Sequence, residues 1–143
     1  PDPAPPAVVP SFSRTTGPVL VAEDNERLQR LLHIQFEDLG VPVRFVSDGR
    51  QAVEALRHER YAMVFMDCQM PNMDGLAATR QIRADEQQRG GHVPITAMTA
   101  NAFAEDRAAC FDAGMDDYLA KHVRLGNLRA LLERWTQPGV GSL

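Results

Sequence analysis

Cysteine is scarce in this chain: only Cys68 and Cys110 occur, and no secretory signal is in view. That pattern excludes a disulfide framework, and both thiols are expected to be reduced, as in cytosol. Long apolar runs are missing too, so these residues are not themselves embedded in a membrane. There is no run of Lys or Arg, and the formal net charge is −4, which speaks against direct binding of nucleic acid. The two cysteines and four histidines show no metal-ligand spacing, which disfavours zinc. An initiator Met is also absent, and the start at Pro1 points to a fragment of something larger or to a processed end.

What is present is ordinary for a soluble globular protein. Hydrophobic residues make up 44% and charged ones 24% of 143 residues, enough for one domain with a real core. Pro1 to Gly17 carries five of the ten prolines and no sustained apolar period, so it reads as an extended linker or disordered tail.

From Pro18 the pattern changes. Val19 to Ala22 is a short apolar run suited to a strand covered on both faces. Asp24-Asn25 offers helix-capping chemistry, and Leu28, Leu31, Leu32, Phe36 and Leu39 recur at helical spacing before Gly40 stops the helix. The alternation continues. Val41 to Val46 reads as a second strand, followed by a Ser47-Asp48-Gly49 turn and a helix through Ala52, Val53 and Leu56. Ala62 to Met66 is a third strand ending at Asp67. A loop, Gln69 to Gly75, leads into a helix from Leu76 to about Gln88, which Gly90-Gly91 breaks. Val93 to Met98 makes a fourth strand, Ala102 to about Ala113 a helix, and Asp117 to Ala120 a fifth strand. Leu125, Leu128, Leu131, Leu132 and Trp135 stripe the last helix. Five strand–helix pairs with short loops predict an α/β fold, a parallel sheet between helix layers. One domain spans 18–137, with a C-terminal tail over 138–143.

In such a sheet, ligands bind at the carboxyl ends of the strands, where strand order reverses. The first strand ends in Glu23 and Asp24, the third in Asp67, the fourth in Thr99 and the fifth in Lys121. Singly, each has a plain explanation: Asp24 or Thr99 as a helix cap, Lys121 as a solvated surface charge. Together they place three carboxylates, a hydroxyl and an ammonium on one edge. Clustered carboxylates repel one another unless a cation sits among them, and oxygen ligands suit Mg²⁺; Lys121 alone is the structural alternative. A carboxylate can attack phosphorus to give an acyl phosphate, while Lys121 and Thr99 stabilise the phosphoryl oxygens.

These residues stand in motifs that resemble the receiver (response-regulator) domain of two-component signalling. The motifs are Val-Ala-Glu23-Asp24-Asn25, Met66-Asp67-Cys-Gln-Met-Pro71-Asn-Met-Asp74-Gly75, Thr96-Ala-Met-Thr99-Ala100-Asn101-Ala, and Gly114-Met-Asp-Asp-Tyr118-Leu-Ala-Lys121. The resemblance implies a flavodoxin-like, doubly wound sheet in the order 2-1-3-4-5, with five helices in two layers. It implies Asp67 as phosphoacceptor, and Mg²⁺ held by Glu23, Asp24, Asp67 and the backbone carbonyl of Gln69. It also makes Lys121 the phosphoryl-binding lysine, and Thr99 and Tyr118 the switch pair. The wording of the Asp67 and Thr99 motifs is most similar to receivers of hybrid sensor histidine kinases. A histidine kinase domain and a histidine phosphotransfer protein are then the implied partners, and the location is cytoplasmic, with a parent protein anchored in the inner membrane.

One departure stands out: the family usually has proline after the lysine, often with a cis peptide, whereas His122 follows Lys121 here. A non-proline cis bond costs about 2.5–4 kcal/mol, so a trans bond is expected, with a consequence for the reach of Lys121. Cys68 is expected to be an inert thiol, Met66 a core residue, and Met70 and Met73 loop packing. Three other functions remain open on sequence. A stand-alone response regulator shares the same features. An aspartate-nucleophile phosphatase would want a second acid, which Asp67-Cys68-Gln69 lacks. A phosphorylation-independent interaction module would leave the acid trio unused.

Overall fold

The computed structural model of the protein describes residues 17–99, 104–121 and 125–136. Residues 1–16 of the expected linker, residues 137–143, Ala100, Asn101 and the Lys121–His122 bond lie outside the described residues.

The elements alternate strictly: β1 (Val19–Ala22), α1 (Glu26–Leu39), β2 (Val43–Val46), α2 (Gly49–His58), β3 (Met63–Asp67), α3 (Gly75–Arg89), β4 (Ile95–Thr99), α4 (Ala104–Ala113), β5 (Asp117–Ala120) and α5 (Leu125–Thr136). All four strand pairings are parallel, and the sheet runs β2-β1-β3-β4-β5. The fold is the doubly wound, flavodoxin-like one that the sequence implies. Order reverses beside β1 and β3, so the ligand crevice of the topology lies above their carboxyl ends.

Side-chain alternation along each strand sorts the core into two layers. On one face Val19, Val21, Met63, Phe65, Met98 and Leu119 pack under α1 and α5. On the other, Leu20, Val64, Met66, Ile95 and Ala97 pack under α2, α3 and α4. Phe36 of α1 meets Phe65 edge-on with ring centroids 5.7 Å apart, and both rings are buried. Truncating either ring to Ala is expected to cost about 3–5 kcal/mol.

Local chemistry sets the boundaries. Asn25, not Asp24, caps α1, its side chain accepting the Leu28 N–H at 3.1 Å. At the other end Gly40 takes φ 73, and the Gly40 and Val41 N–H groups return to the Glu37 and Phe36 carbonyls. That Schellman closure uses Val41 as the helix terminator. The second strand therefore starts at Val43 rather than Val41. Asp48 caps α2 and Asp74 caps α3. The fourth strand is shifted forward from the expected Val93–Met98: Pro94 has no N–H to give, its carbonyl accepts from Val64, and the ladder proper begins at Ile95 and includes Thr99.

Candidate functional site

The strand register assembles the site. Ala22 lies opposite Met66, Asp67 opposite Met98, and Thr99 opposite Ala120. Each next residue along those strands therefore falls on one rim, which brings Glu23, Asp67, Thr99 and Lys121 to a common edge. Main-chain bonds extend the ladder there: Glu23 N–H donates to Val46, Cys68 N–H to Met98, and Lys121 N–H to Thr99.

At the centre is Asp67, 1% exposed. One carboxylate oxygen accepts the Gln69 N–H at 3.0 Å, and the other accepts from Lys121 Nζ at 2.9 Å. Lys121 is the only lysine in the chain, so its ammonium here is not one of many surface amines. Burial pulls its pKa down, but the hydrogen bond and charge of Asp67, with the charge of Glu23, outweigh that, and the net shift is upward. Lys121 therefore stays cationic at physiological pH.

Glu23 is fully buried. Its Oε2 accepts the Asn25 N–H at 2.9 Å, and the Gln29 side-chain amide donates to its carbonyl oxygen. Its Oε1 sits 3.5 Å from Lys121 Nζ, an ion pair by distance, yet it makes no hydrogen bond. Burial, opposed by the Asn25 N–H and reinforced by the negative charge of Asp67, pushes this carboxyl up to about 7. A buried carboxylate oxygen without a hydrogen bond is costly unless something else satisfies it.

One carboxylate oxygen each from Glu23, Asp24 and Asp67 lie within 4.8 Å of one another, with Asp24 exposed at the mouth. An all-oxygen donor set with an orphaned buried oxygen, open to solvent through Asp24, fits a hard divalent cation.

The loop from Cys68 to Asp74 is held over the rim. Asn72 takes φ 66, which its short amide side chain tolerates, and donates to Asp48 at 2.7 Å. That bond, ahead of the Gln51 N–H, holds the Asp48 carboxyl below its usual value. Gly75 opens α3 directly against β3: a Cβ there would collide with the Asp67 carbonyl oxygen. Its N–H donates to the Cys68 carbonyl at 3.2 Å.

Thr99 is nearly buried at the end of β4. Tyr118 of β5 is half-buried, opposite Ala97, so alternation puts Thr99 and Tyr118 on the same face of the sheet. The Tyr118 hydroxyl accepts from Arg107 at 2.6 Å, that guanidinium stands 4.9 Å from the ring centroid, and Phe111 meets the ring edge-on. All the predicted side chains of the site thus come together except Tyr118, which stands beside it. Sequence reasoning missed Gln29, Asn72 and Arg107. Arg107 and Phe111, four apart on α4, share one helix face, but that spacing alone does not pair them with Tyr118 of β5.

A parallel sheet in this order, carrying three carboxylates, a hydroxyl and a lysine around its switch point, defines a class of α/β phosphate-site proteins. Comparison with known families makes the assignment specific: residues 19–133 match the response regulator receiver domain, and the chain belongs to that family. It is 39% identical over 128 residues to the sensor protein GacS of Pseudomonas syringae pv. syringae, covering 89% of this chain but 14% of that protein. Among solved structures, it is 45% identical, with a TM-score of 0.76, to the receiver domain of sensor histidine kinase PA1611 from Pseudomonas aeruginosa. That match covers 84% of this chain and 98% of the other, which has a magnesium ion coordinated in its active-site cleft. It also resembles a Saccharomyces cerevisiae complex of the histidine phosphotransfer protein Ypd1 with the receiver domain of Ssk1, at 29% identity and a TM-score of 0.81 over 85% of this chain and 90% of that one.

Proposed function

We propose that Asp67 accepts a phosphoryl group from a phosphohistidine, in a phosphorelay that includes a hybrid sensor histidine kinase. The observation that carries this reading is the buried Asp67 carboxylate fixed 2.9 Å from the chain's only lysine, with two further acids beside it.

A carboxylate oxygen of Asp67 bonds to phosphorus as the phosphorus–nitrogen bond to the donor imidazole breaks, and the leaving imidazole nitrogen takes a proton from solvent. The Gln69 N–H orients the Asp67 carboxylate before reaction. Lys121 turns from the carboxylate toward a phosphoryl oxygen, and Thr99 donates its hydroxyl to another. Glu23, Asp24, Asp67 and the carbonyl of Gln69 would hold Mg²⁺, which supplies charge screening for the acid cluster and the phosphoryl oxygens when bound.

Downstream, phosphate passes to a histidine phosphotransfer protein that docks beside the acidic rim. Leu31 and Ile34, three apart on α1 and 46% and 56% exposed, support this, because α1 begins only three residues after Glu23. The readout within the domain is a population shift, Thr99 moving toward the phosphate and Tyr118 turning into the vacated space. In this reading residues 18–137 form the receiver, with 1–17 as linker and 138–143 as tail. The domain works in the cytoplasm, and its parent is anchored in the inner membrane; no helix among the described residues is long and apolar enough to cross one.

Intact-mass analysis after incubation with acetyl phosphate tests the proposal. A Mg²⁺-dependent gain of one phosphoryl group, absent in Asp67→Asn, is expected. Undiminished incorporation in Asp67→Asn would overturn the assignment.

A further inference from the structure

Cys68 directly follows the acceptor, and Cys110 lies on α4, 42 positions further along the chain. The fold brings their sulfurs to 3.4 Å, although neither is in a disulfide. Cys68 is half-buried at the rim of the site, whereas Cys110 is 3% exposed on the buried face of α4. An oxidant therefore meets Cys68 first, with a second sulfur already in place behind it. That arrangement of an accessible thiol backed by a resolving one is what an oxidation-sensitive pair requires. The inert Cys68 expected from sequence becomes half of a thiol pair.

We propose that Cys68 and Cys110 form a reversible intramolecular disulfide, and that its formation slows phosphorylation of the domain; the second clause rests on Asp67 being the acceptor. Hydrogen peroxide supplies the oxidation. The Cys68 thiolate attacks one peroxide oxygen, the O–O bond breaks, and Cys68 becomes a sulfenic acid as water leaves. The Cys110 thiolate then attacks the Cys68 sulfur, the S–O bond breaks, and a second water leaves with the proton. In sum, two thiols and one hydrogen peroxide give one disulfide and two waters, and the peroxide takes both electrons.

Closure must draw the sulfurs from 3.4 Å to about 2.05 Å. The Cys68 main chain bears that pull. Its N–H holds Met98 and its carbonyl holds Gly75, so a displacement passes to the Asp67 carboxylate and to the start of α3. The same bond pins α4, which carries Arg107 and its contact with Tyr118. A misplacement of about 1 Å at reacting groups can cost about 100-fold, so sharing the movement between the two sides predicts a slowing on the order of tenfold.

The test treats the whole chain with hydrogen peroxide and digests it with trypsin without reduction. Cys68 and Cys110 fall in separate tryptic peptides, bounded by Arg60 and Arg80 and by Arg107 and Lys121. A linked peptide pair, lost on adding dithiothreitol, is expected. Free thiols in both peptides, sulfinic acid confined to Cys68, or links only between chains would each overturn the thiol pair. Phosphoryl uptake from acetyl phosphate is then followed for reduced, oxidised and re-reduced protein. Slowing that reverses with dithiothreitol and is absent in Cys110→Ala supports the coupling. Equal rates in linked and reduced wild type overturn it without reliance on the variant. If even the reduced protein takes no phosphoryl group, the acceptor reading fails and the coupling with it, while the linked peptide alone decides the disulfide.

Discussion

Glu23 provides the most quantitative consequence of the site. Its carboxyl is pushed up from 4.5 to about 7 by burial, with Asp67 adding to the effect and the Asn25 N–H opposing it. In the cation-free chain the folded state therefore holds this proton more tightly than the unfolded state. A raised folded-state pKa contributes stability that is fully present below pH 4.5 and is lost as pH rises through about 7. The gap between the two values corresponds to about 3 kcal/mol. Glu23→Gln keeps the shape and removes the titration. Urea unfolding of both proteins from pH 4.5 to 8, without divalent cations, measures the difference. With m of about 1–3 kcal/mol/M, the wild-type midpoint should fall by about 1–3 M relative to the variant across that range. Added Mg²⁺ favours the ionised carboxylate, so it should flatten the wild-type profile and leave the variant's unchanged. Parallel pH profiles for the two proteins would show that Glu23 does not carry the strain assigned to it.

The remaining predictions concern the other parts of the site. Lys121→Met removes the cation from the acid cluster, and phosphoryl uptake from acetyl phosphate should fall by about 100–1,000-fold with Mg²⁺ present; an unchanged rate would remove Lys121 from the chemistry. Gly75→Ala drives a methyl group into the Asp67 carbonyl, and denaturant melts should show a loss of about 1–3 kcal/mol. Leu31→Glu with Ile34→Glu on α1 should leave phosphorylation by acetyl phosphate intact while weakening transfer to a histidine phosphotransfer protein at least tenfold, about 1.4 kcal/mol or more. Equal transfer rates would place the docking face elsewhere.

Much of the site was legible because parallel topology does the assembling. Once five strands alternate with helices, the residue at each strand's carboxyl end must fall on one edge, and Glu23, Asp67, Thr99 and Lys121 could be gathered without coordinates. Boundaries were less legible where an apolar residue serves a helix instead of a strand. Val41 fits a strand pattern, yet its N–H closes the end of α1. The caps show the same limit: Asp24 and Asn25 have equal capping chemistry, and only geometry assigns the cap to Asn25, freeing Asp24 to face the mouth of the site. Long-range contacts left no local trace. Nothing in the spacing of Cys68 and Cys110 signals that α4 will cross behind the acceptor, and Arg107 looks like any surface arginine until β5 brings Tyr118 beneath it. The difference between a fully buried Glu23 and an exposed Asp24 is likewise invisible in two adjacent acids.

The central claim is that the phosphoryl group resides on Asp67, and borohydride trapping addresses it most directly. Reduction of an aspartyl phosphate converts that residue to homoserine, which peptide sequencing by mass spectrometry locates. After incubation with acetyl phosphate and Mg²⁺, homoserine at position 67 is the expected result. Homoserine at Asp24 instead, or phosphorylated protein with an unmodified Asp67, would contradict the account.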